Sequence, residues 1–382
     1  PWVAVLDFKS MYPSIMITNN ICHTTRVDST NDSTEVNQSP SGTKFLKKEV
    51  REGLVPRLLQ DLMAQRDHHK SMMKSTTEES ERLFHDQMQF AVKILMNTFY
   101  GVFASAFYRF THPDIGSAIT AWARSNIKKI IHALDEEGNA VVYSDTDSVF
   151  VSAPEEGKDA LVSFGHELAS RFTKEGAELE FEKGLSVFFS HGAKKRYVGR
   201  VVWPEEELLI RGYEVRRTDS FDLLNNTMMG TFERILDGDE DGAYKHVLGL
   251  IRSVKAGEVD VADLIISRSC KGKVLKDGTV DFSAVYANPD GLPYVQAARK
   301  RIARGLQFTP GMKVSYIVTD AQKRPLTVEP WLVAETGDAP PVPDWLFYAE
   351  RLARAMGRIT EVYGWSDKDL LAGSRQQTFD FF

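Results

Sequence analysis

Two short apolar runs in this chain each lead directly into carboxylates. Val3-Ala4-Val5-Leu6 precedes Asp7, and Ala140-Val141-Val142-Tyr143 precedes Asp145 and Asp147. Runs of this length and composition predict buried strands. A carboxylate at the end of a buried strand is costly unless a positive charge neutralises it. Two divalent cations would do so, and would also create a site for in-line attack on a phosphate. A polar hairpin turn is a common use of Asp-Thr-Asp, but it accounts neither for the flanking strand nor for the distant Asp7.

The 382 residues exceed the usual size of one domain, and 42% are hydrophobic, so two or three units with real cores are expected. No apolar run is long enough to span a membrane. No charged-then-apolar leader opens the chain, so secretion is not expected and a cytoplasmic location is. The chain starts at Pro1, directly on a strand, and reads as a fragment or as one piece of a divided protein. Cys22 and Cys270 are the only cysteines and lack His partners at zinc spacing, which argues against a disulfide framework or a structural zinc site. The formal net charge of -6 does not suggest nucleic acid. Basic residues nevertheless cluster at Lys194-Lys195-Arg196, at Arg211 with Arg216-Arg217, and at Arg299-Lys300-Arg301 with Arg304. Three clusters downstream of a carboxylate site suggest a basic track.

The polar stretch Asp28 to Thr43 reads as an exposed loop. A helix is expected from Val55, with Leu58, Leu59, Leu62 and Met63 at helical spacing and Pro56 in the first turn. Lys74 to Ser80 reads as a turn, and a second helix runs from Glu81 into Phe99. These two would form an antiparallel hairpin. A further helix is expected over Ile115 to Leu134, then the second carboxylate strand. Mixed strands and helices follow to Tyr213, and a mainly helical remainder contains strand-like Val314-Ser315-Tyr316-Ile317-Val318.

The hairpin carries its own chemistry. Lys93 and Asn97 are four apart, with Tyr100-Gly101 one turn further on the same face, and Arg66 and Lys70 repeat that spacing on the preceding helix. Two Lys and an Arg opposite a carboxylate pair would grip a triphosphate whose metals those carboxylates hold. Taken alone, Arg66 and Lys70 read as an ordinary exposed helix face.

With these residues in view, the chain resembles the family B DNA polymerases over essentially its whole length. Asp7-Phe8-Lys9-Ser10-Met11-Tyr12-Pro13-Ser14-Ile15 resembles the first palm motif of that family. Lys93-Ile94-Leu95-Met96-Asn97-Thr98-Phe99-Tyr100-Gly101 is similar to the fingers motif. Tyr143-Ser144-Asp145-Thr146-Asp147-Ser148 resembles the second palm motif, with Ser144 where Gly is common. Lys194-Lys195-Arg196-Tyr197 is similar to the lysine-rich primer-binding motif. Arg211-Gly212-Tyr213-Glu214-Val215-Arg216-Arg217 resembles the palm-to-thumb junction, with Thr218 inserted before Asp219.

The resemblance implies an α+β fold of right-hand architecture, with an antiparallel palm sheet, helical-hairpin fingers and a mainly helical thumb. The implied boundaries are 1–46 and 102–213 for the palm, 47–101 for the fingers, 214–370 for the thumb and 371–382 for a tail. It also implies template-directed addition of deoxynucleotides to a primer. Asp7 and Asp147 would share two Mg²⁺ ions with the backbone carbonyl of Phe8, and Asp145 would act beside them. Ser10, Met11, Tyr12, Arg66, Lys70, Lys93, Asn97 and Tyr100 would bind the deoxynucleoside triphosphate, Tyr12 excluding a 2′-hydroxyl. Gly101, Lys194, Lys195, Arg196, Tyr197 and Arg211 would hold primer-template DNA through contacts that position without reading sequence. Glu180 and Glu182 read as surface strand residues rather than a third carboxylate.

Full-length relatives carry a 3′–5′ exonuclease, so the expectation is a proofreading half elsewhere, cut away or on a separate polypeptide. The terminal Gln376, Phe379, Phe381 and Phe382 resemble a peptide that binds a ring-shaped sliding clamp. Two other readings compete. A catalytically silent DNA-binding scaffold would be expected to lose Asp7, Asp147 or Lys93, and all three are present. A protein-primed polymerase would carry longer insertions between the motifs.

Overall fold

The computed structural model describes residues 1–28, 35–174, 177–192, 194–213 and 220–374. They form two compact units, Pro1–Phe188 with Gly199–Leu209, and Phe189–Val198 with Ile210 onward. In chain order the first stretch comprises β1 (Val3–Phe8), α1 (Met11–Thr18), β2 (Arg26–Val27), β3 (Val36–Gln38), β4 (Lys44–Leu46), α2 (Leu54–Ser75) and α3 (Glu79–Ala104). It continues with α4 (Pro113–Glu136), β5 (Val141–Asp145), β6 (Ser148–Ser152), α5 (Lys158–Phe172), β7 (Leu179–Ser190), β8 (Tyr197–Trp203) and β9 (Glu207–Arg211). The first unit holds β7 to Phe188, β8 from Gly199 and β9 to Leu209.

One six-stranded sheet, in the order β5-β6-β1-β7-β8-β9, organises these elements. β1 lies inside it, antiparallel to β6 and to β7, and Val3, Ala4, Val5 and Leu6 are buried. A strand covered on both faces has to be apolar without alternation, which is why Val3 to Leu6 reads as one continuous run. The second run behaves differently. β5 is the edge strand, its residues alternate between half-buried and exposed, and Val142 is 41% exposed. The expectation of a buried strand there is corrected: an edge strand has one neighbour and one covered face.

Helix α5 packs across β1 and comes close to β7 at Gly165, where a Cβ would overlap the ring of Phe181. That ring cannot retreat freely, because it stacks on Trp203 at 4.4 Å between centroids and 12° between planes. On α1, Met11, Ile15 and Met16 are buried, and α4 buries Ile115, Ala118, Ile119, Ile130 and Leu134 in the same core. Each buried Ile, Leu or Met among them contributes roughly 1.5–3 kcal/mol. Helices α2 and α3 form the expected antiparallel pair, but α2 runs to Ser75 and α3 runs from Glu79 to Ala104, so the turn is shorter than Lys74 to Ser80. Leu59 is fully buried, whereas Leu58 is 40% exposed. The stretch read as a loop from Asp28 to Thr43 contains β3, which pairs with β4 beside β2. Three short residues of Val-Asn-Gln carry no periodic signal, and only their partner strand makes them extended.

The second unit is more mixed than its composition suggested. Helices α6 (Asp222–Leu236) and α7 (Glu240–Ala256) precede β10 (Ile266–Ser269), β11 (Lys273–Val274), β12 (Val280–Asp281), α8 (Pro293–Ala303), β13 (Lys313–Asp320) and β14 (Thr327–Pro330). Helices α9 (Val333–Thr336), α10 (Trp345–Thr360) and α11 (Asp367–Ala372) complete the described part. β13 is the strand expected at Val314 to Val318, but it is central in a three-stranded antiparallel sheet with β10 and β14, and β11 and β12 form a separate hairpin. The partner strands give little signal because Ile266-Ser267-Arg268-Ser269 exposes half of its four residues and Thr327-Val328-Glu329-Pro330 is only four residues long and ends in proline. The third basic cluster is also corrected as part of a track. Arg299 pairs with Asp290, Lys300 with Glu329 at 2.5 Å, Arg301 with Glu335 at 2.6 Å, and Arg304 with Glu329 at 3.2 Å. Among the described residues no helix is long and apolar enough to cross a membrane.

Replacing Gly165 by Ala should cost about 1–3 kcal/mol, because the added carbon meets a ring pinned by Trp203. Thermal unfolding followed by circular dichroism will check this, and an unchanged midpoint would refute the close approach of α5 to the sheet.

Candidate active site

The register of the sheet gathers the carboxylates. Asp7 sits opposite Ser148 of β6 and Glu180 of β7. The turn between β5 and β6 holds Thr146 in the left-handed region (φ 53°), and the Asp147 N–H donates to the Asp145 carbonyl at 2.7 Å. The Asp147 carbonyl in turn accepts the Phe8 N–H at 2.9 Å, which ties that turn to the exit of β1. On the other side β7 slips by one residue: Val5 faces Lys183 but Leu6 faces Phe181, so Glu182 has no partner on β1. Such a bulge re-aims side chains beside a site.

A cleft of about 340 Å³ results, all of it within the first unit. Asp7, Asp147, Glu180 and Glu182 line it, with Arg66, Lys93 and Asn97 from the helical hairpin and Lys9 to Tyr12 between them. Glu180 and Glu182 are indeed exposed strand residues, but they belong to the cleft, a role the sequence reading did not give them. The signal was present: in Leu179-Glu180-Phe181-Glu182 strict alternation puts two acids on one face. Lys9 was also passed over. It donates to Asp67 on α2 at 3.3 Å and lies 3.7 Å from Glu178.

The electrostatics follow from this crowding. The Asp7 carboxyl is pushed up to about 8, first by burial, then by Asp147 and Glu182, with Lys93 opposing. Lys70 is held below the ordinary lysine range by burial and by neighbouring Arg66. Arg66 itself is only 9% exposed; it donates to Ser10 Oγ at 3.1 Å and to Gln89 Oε1 at 3.4 Å. Tyr12 stacks on Tyr100 with centroids 4.3 Å apart and planes at 28°. Burial, Tyr100 and Asp147 raise the Tyr12 hydroxyl, with Arg124 of α4 acting the other way. Asp145 and Lys70 are not among the residues lining the cleft, and Gly101 lies exposed further along α3. Among the described residues, no three His, Cys, Asp or Glu side chains are gathered closely enough to hold a metal ion as they stand.

The basic motifs belong to the second unit. Lys194 and Lys195 are exposed, Arg196 and Tyr197 half-buried. Lys195 has φ 64°, and a Cβ on Gly212 (φ 72°) would overlap the Lys195 carbonyl oxygen, so Arg211-Gly212-Tyr213 packs directly on Lys194-Lys195-Arg196. Two motifs 17 residues apart in number, Lys194 and Arg211, thereby form one basic surface. Arg216 and Arg217, and the tail residues Gln376, Phe379, Phe381 and Phe382, lie outside the described residues.

With the cleft defined, comparison with known proteins identifies its lineage. The family model described as DNA polymerase family B matches residues 1–358, and the chain belongs to that family. DNA polymerase 2 of Aeropyrum pernix is 31% identical over 98% of this chain and 45% of its own length. The DNA polymerase delta catalytic subunit of Mesocricetus auratus is 28% identical over 94% of this chain and 34% of its own. The solved family B DNA polymerase of Pyrobaculum calidifontis superposes with a TM-score of 0.65 at 26% identity, covering 94% of this chain and 45% of that one. The chain thus spans less than half the length of these relatives.

The raised Asp7 carboxyl has a consequence for stability. The folded state keeps a proton that the unfolded chain loses near 3.8, so metal-free protein should lose stability as pH rises from about 4 towards about 8. Asp7→Asn should flatten that slope. Melting in EDTA across this range measures it, and equal slopes in the two proteins would refute the charge crowding.

Proposed function

We propose that the chain is the catalytic portion of a template-directed DNA polymerase, adding deoxynucleotides to a primer 3′ end. One observation carries the reading: a single cleft joins the carboxylates of a sheet to the cations of a helical hairpin, with a stacked tyrosine pair on its wall. In this reading residues 1–46 and 102–213 act as palm, 47–101 as fingers and 214–370 as thumb.

The donor set suits divalent cations. All four acids are oxygen ligands, as Mg²⁺ requires, and the burial and mutual repulsion that raise the Asp7 carboxyl are what a bound cation would offset. Asp7, Asp147 and the carbonyl of Phe8 would hold two Mg²⁺ ions, with Asp145 shaping the turn that presents Asp147. When bound, the ions supply charge neutralisation for the attacking hydroxyl and the departing pyrophosphate. The chain's own residues do the rest. Arg66 and Lys93 bind the triphosphate from the cleft wall, Lys70 adds its charge from beside Arg66, and burial of Arg66 strengthens its pull on phosphate oxygens. Ser10 and Met11 present their backbone beside it, at the start of α1. Tyr12, braced by Tyr100, lies against the sugar, while Asn97 and Gly101 border the nascent base pair. Lys194, Lys195, Arg196, Tyr197 and Arg211 hold the primer-template backbone. Proofreading would reside in a region outside residues 1–382, and Gln376 to Phe382 would tether a sliding clamp.

Asp147→Asn should abolish primer extension while leaving melting temperature and duplex binding nearly unchanged. Extension at near wild-type rate would defeat the carboxylate assignment. Tyr12→Ala should raise ribonucleotide use relative to deoxynucleotide use, because the ring that would meet a 2′-hydroxyl is gone. The ratio of the two kcat/KM values reads this directly, and an unchanged ratio makes Tyr12 a packing residue.

A further inference from the structure

The buried guanidinium of Arg66 is fixed from two sides. Ser10 occupies the position before α1 at which a serine ordinarily caps its own helix. It makes no such cap; it sits in the left-handed region (φ 47°, ψ 51°) and its hydroxyl accepts from Arg66 Nη1 at 3.1 Å. A non-glycine residue in that region is strained, and such strain persists only where the surroundings require it. From the opposite side, Gln89 on α3 offers Oε1 to Arg66 Nε at 3.4 Å. Gln89 is held in turn, its Nε2 donating to Asp86 Oδ1 at 3.0 Å one turn back on the same helix. The amide is thereby oriented with its oxygen toward Arg66. These two bonds use two of the five guanidinium N–H groups and leave three for a ligand in the cleft that Arg66 lines.

We propose that Gln89 is a positioning residue for the incoming nucleotide. It does not line the cleft. Through Asp86 and Arg66 it presets the guanidinium so that no rotamer search is needed when a triphosphate arrives. A long arginine side chain otherwise loses considerable freedom on binding, and fixing it in advance removes that cost from association. The proposal rests on the reading of Arg66 as a triphosphate ligand. It adds a residue of the facing helix to that site and explains why Ser10 gives up its capping role.

The test is a double-mutant cycle in steady-state primer extension with a single deoxynucleoside triphosphate. Gln89→Leu should raise the nucleotide KM by about threefold to tenfold with a smaller change in kcat, the range set by one hydrogen bond to a charged group. Gln89→Glu combined with Asp86→Asn keeps an acceptor oxygen for Arg66 and a donor at position 86 to hold it, and should recover most of the loss. In an Arg66→Ala background, Gln89→Leu should have no further effect on KM. A Gln89→Leu variant with unchanged KM, or one with the same effect whether or not Arg66 is present, overturns the proposal while leaving the role of Arg66 intact. An Arg66→Ala variant with wild-type nucleotide KM instead overturns the triphosphate reading and the proposal together. A merely structural role would lower the melting temperature and kcat in step, and the pair Gln89→Glu with Asp86→Asn would not restore KM selectively; that pattern also counts against it.

Discussion

Everything at the cleft depends on β1 being gripped on both edges. Asp7 is held where a buried strand ends, between a turn that brings Asp147 and a bulged strand that brings Glu180 and Glu182. Burial and repulsion then act on one carboxyl, which stays protonated near neutral pH in the absence of a counter-ion. No member of the constellation produces this state alone. The apolar run from Val3 to Leu6 makes burial inevitable, and pairing to both neighbours fixes which other acids share the space. A site of this kind is poised for cations because the fold has already concentrated the charge that they neutralise.

The helical hairpin supplies the complementary half. Lys93 and Asn97 stand exposed on α3, whereas Arg66 on α2 is nearly buried, so one cation is free to adapt and the other is set. The stacked pair Tyr12 and Tyr100 joins the hairpin to the start of α1, so the wall that would meet a sugar is built from both halves of the cleft. Lys9, bonded to Asp67 of α2, reinforces the same junction. These contacts are side chain to side chain across elements far apart in sequence, and they give the cleft a shape that neither element has by itself.

Much of this was legible in the residues and some was not, for identifiable reasons. The carboxylates stood out because apolar runs ended in them, and the hairpin because Arg66, Lys70, Lys93 and Asn97 repeat every four residues. Val142 misled because a β-branched run looks the same at the edge of a sheet as at its centre; only the number of neighbours distinguishes them. The basic run Arg299 to Arg304 misled because its partners, Asp290, Glu329, Glu335 and Asp338, are supplied by other elements, and local charge says nothing of them. The strands β10 and β14 are too short to carry a period. Gln89 was invisible because an amide on a helix face has no signature until the residue it holds is seen.

The unmatched Glu182 couples the acid content of the cleft to the geometry of the sheet beyond it. Every residue of β7 from Lys183 onward owes its facing to that single extra position. A ladder running regularly through Glu182 would shift every later residue by one against β1 and put Leu185 on the face of Gly184, where even a Cβ would lie 2.7 Å from Leu161. Drift by substitution can change which side chain stands at 182, but the count of residues in that strand is locked by the packing of its far end. In a lineage of this chain, insertions and deletions should therefore be rarer along β7 than amino-acid replacements at its acidic positions, and the cleft's spacing should outlast its composition.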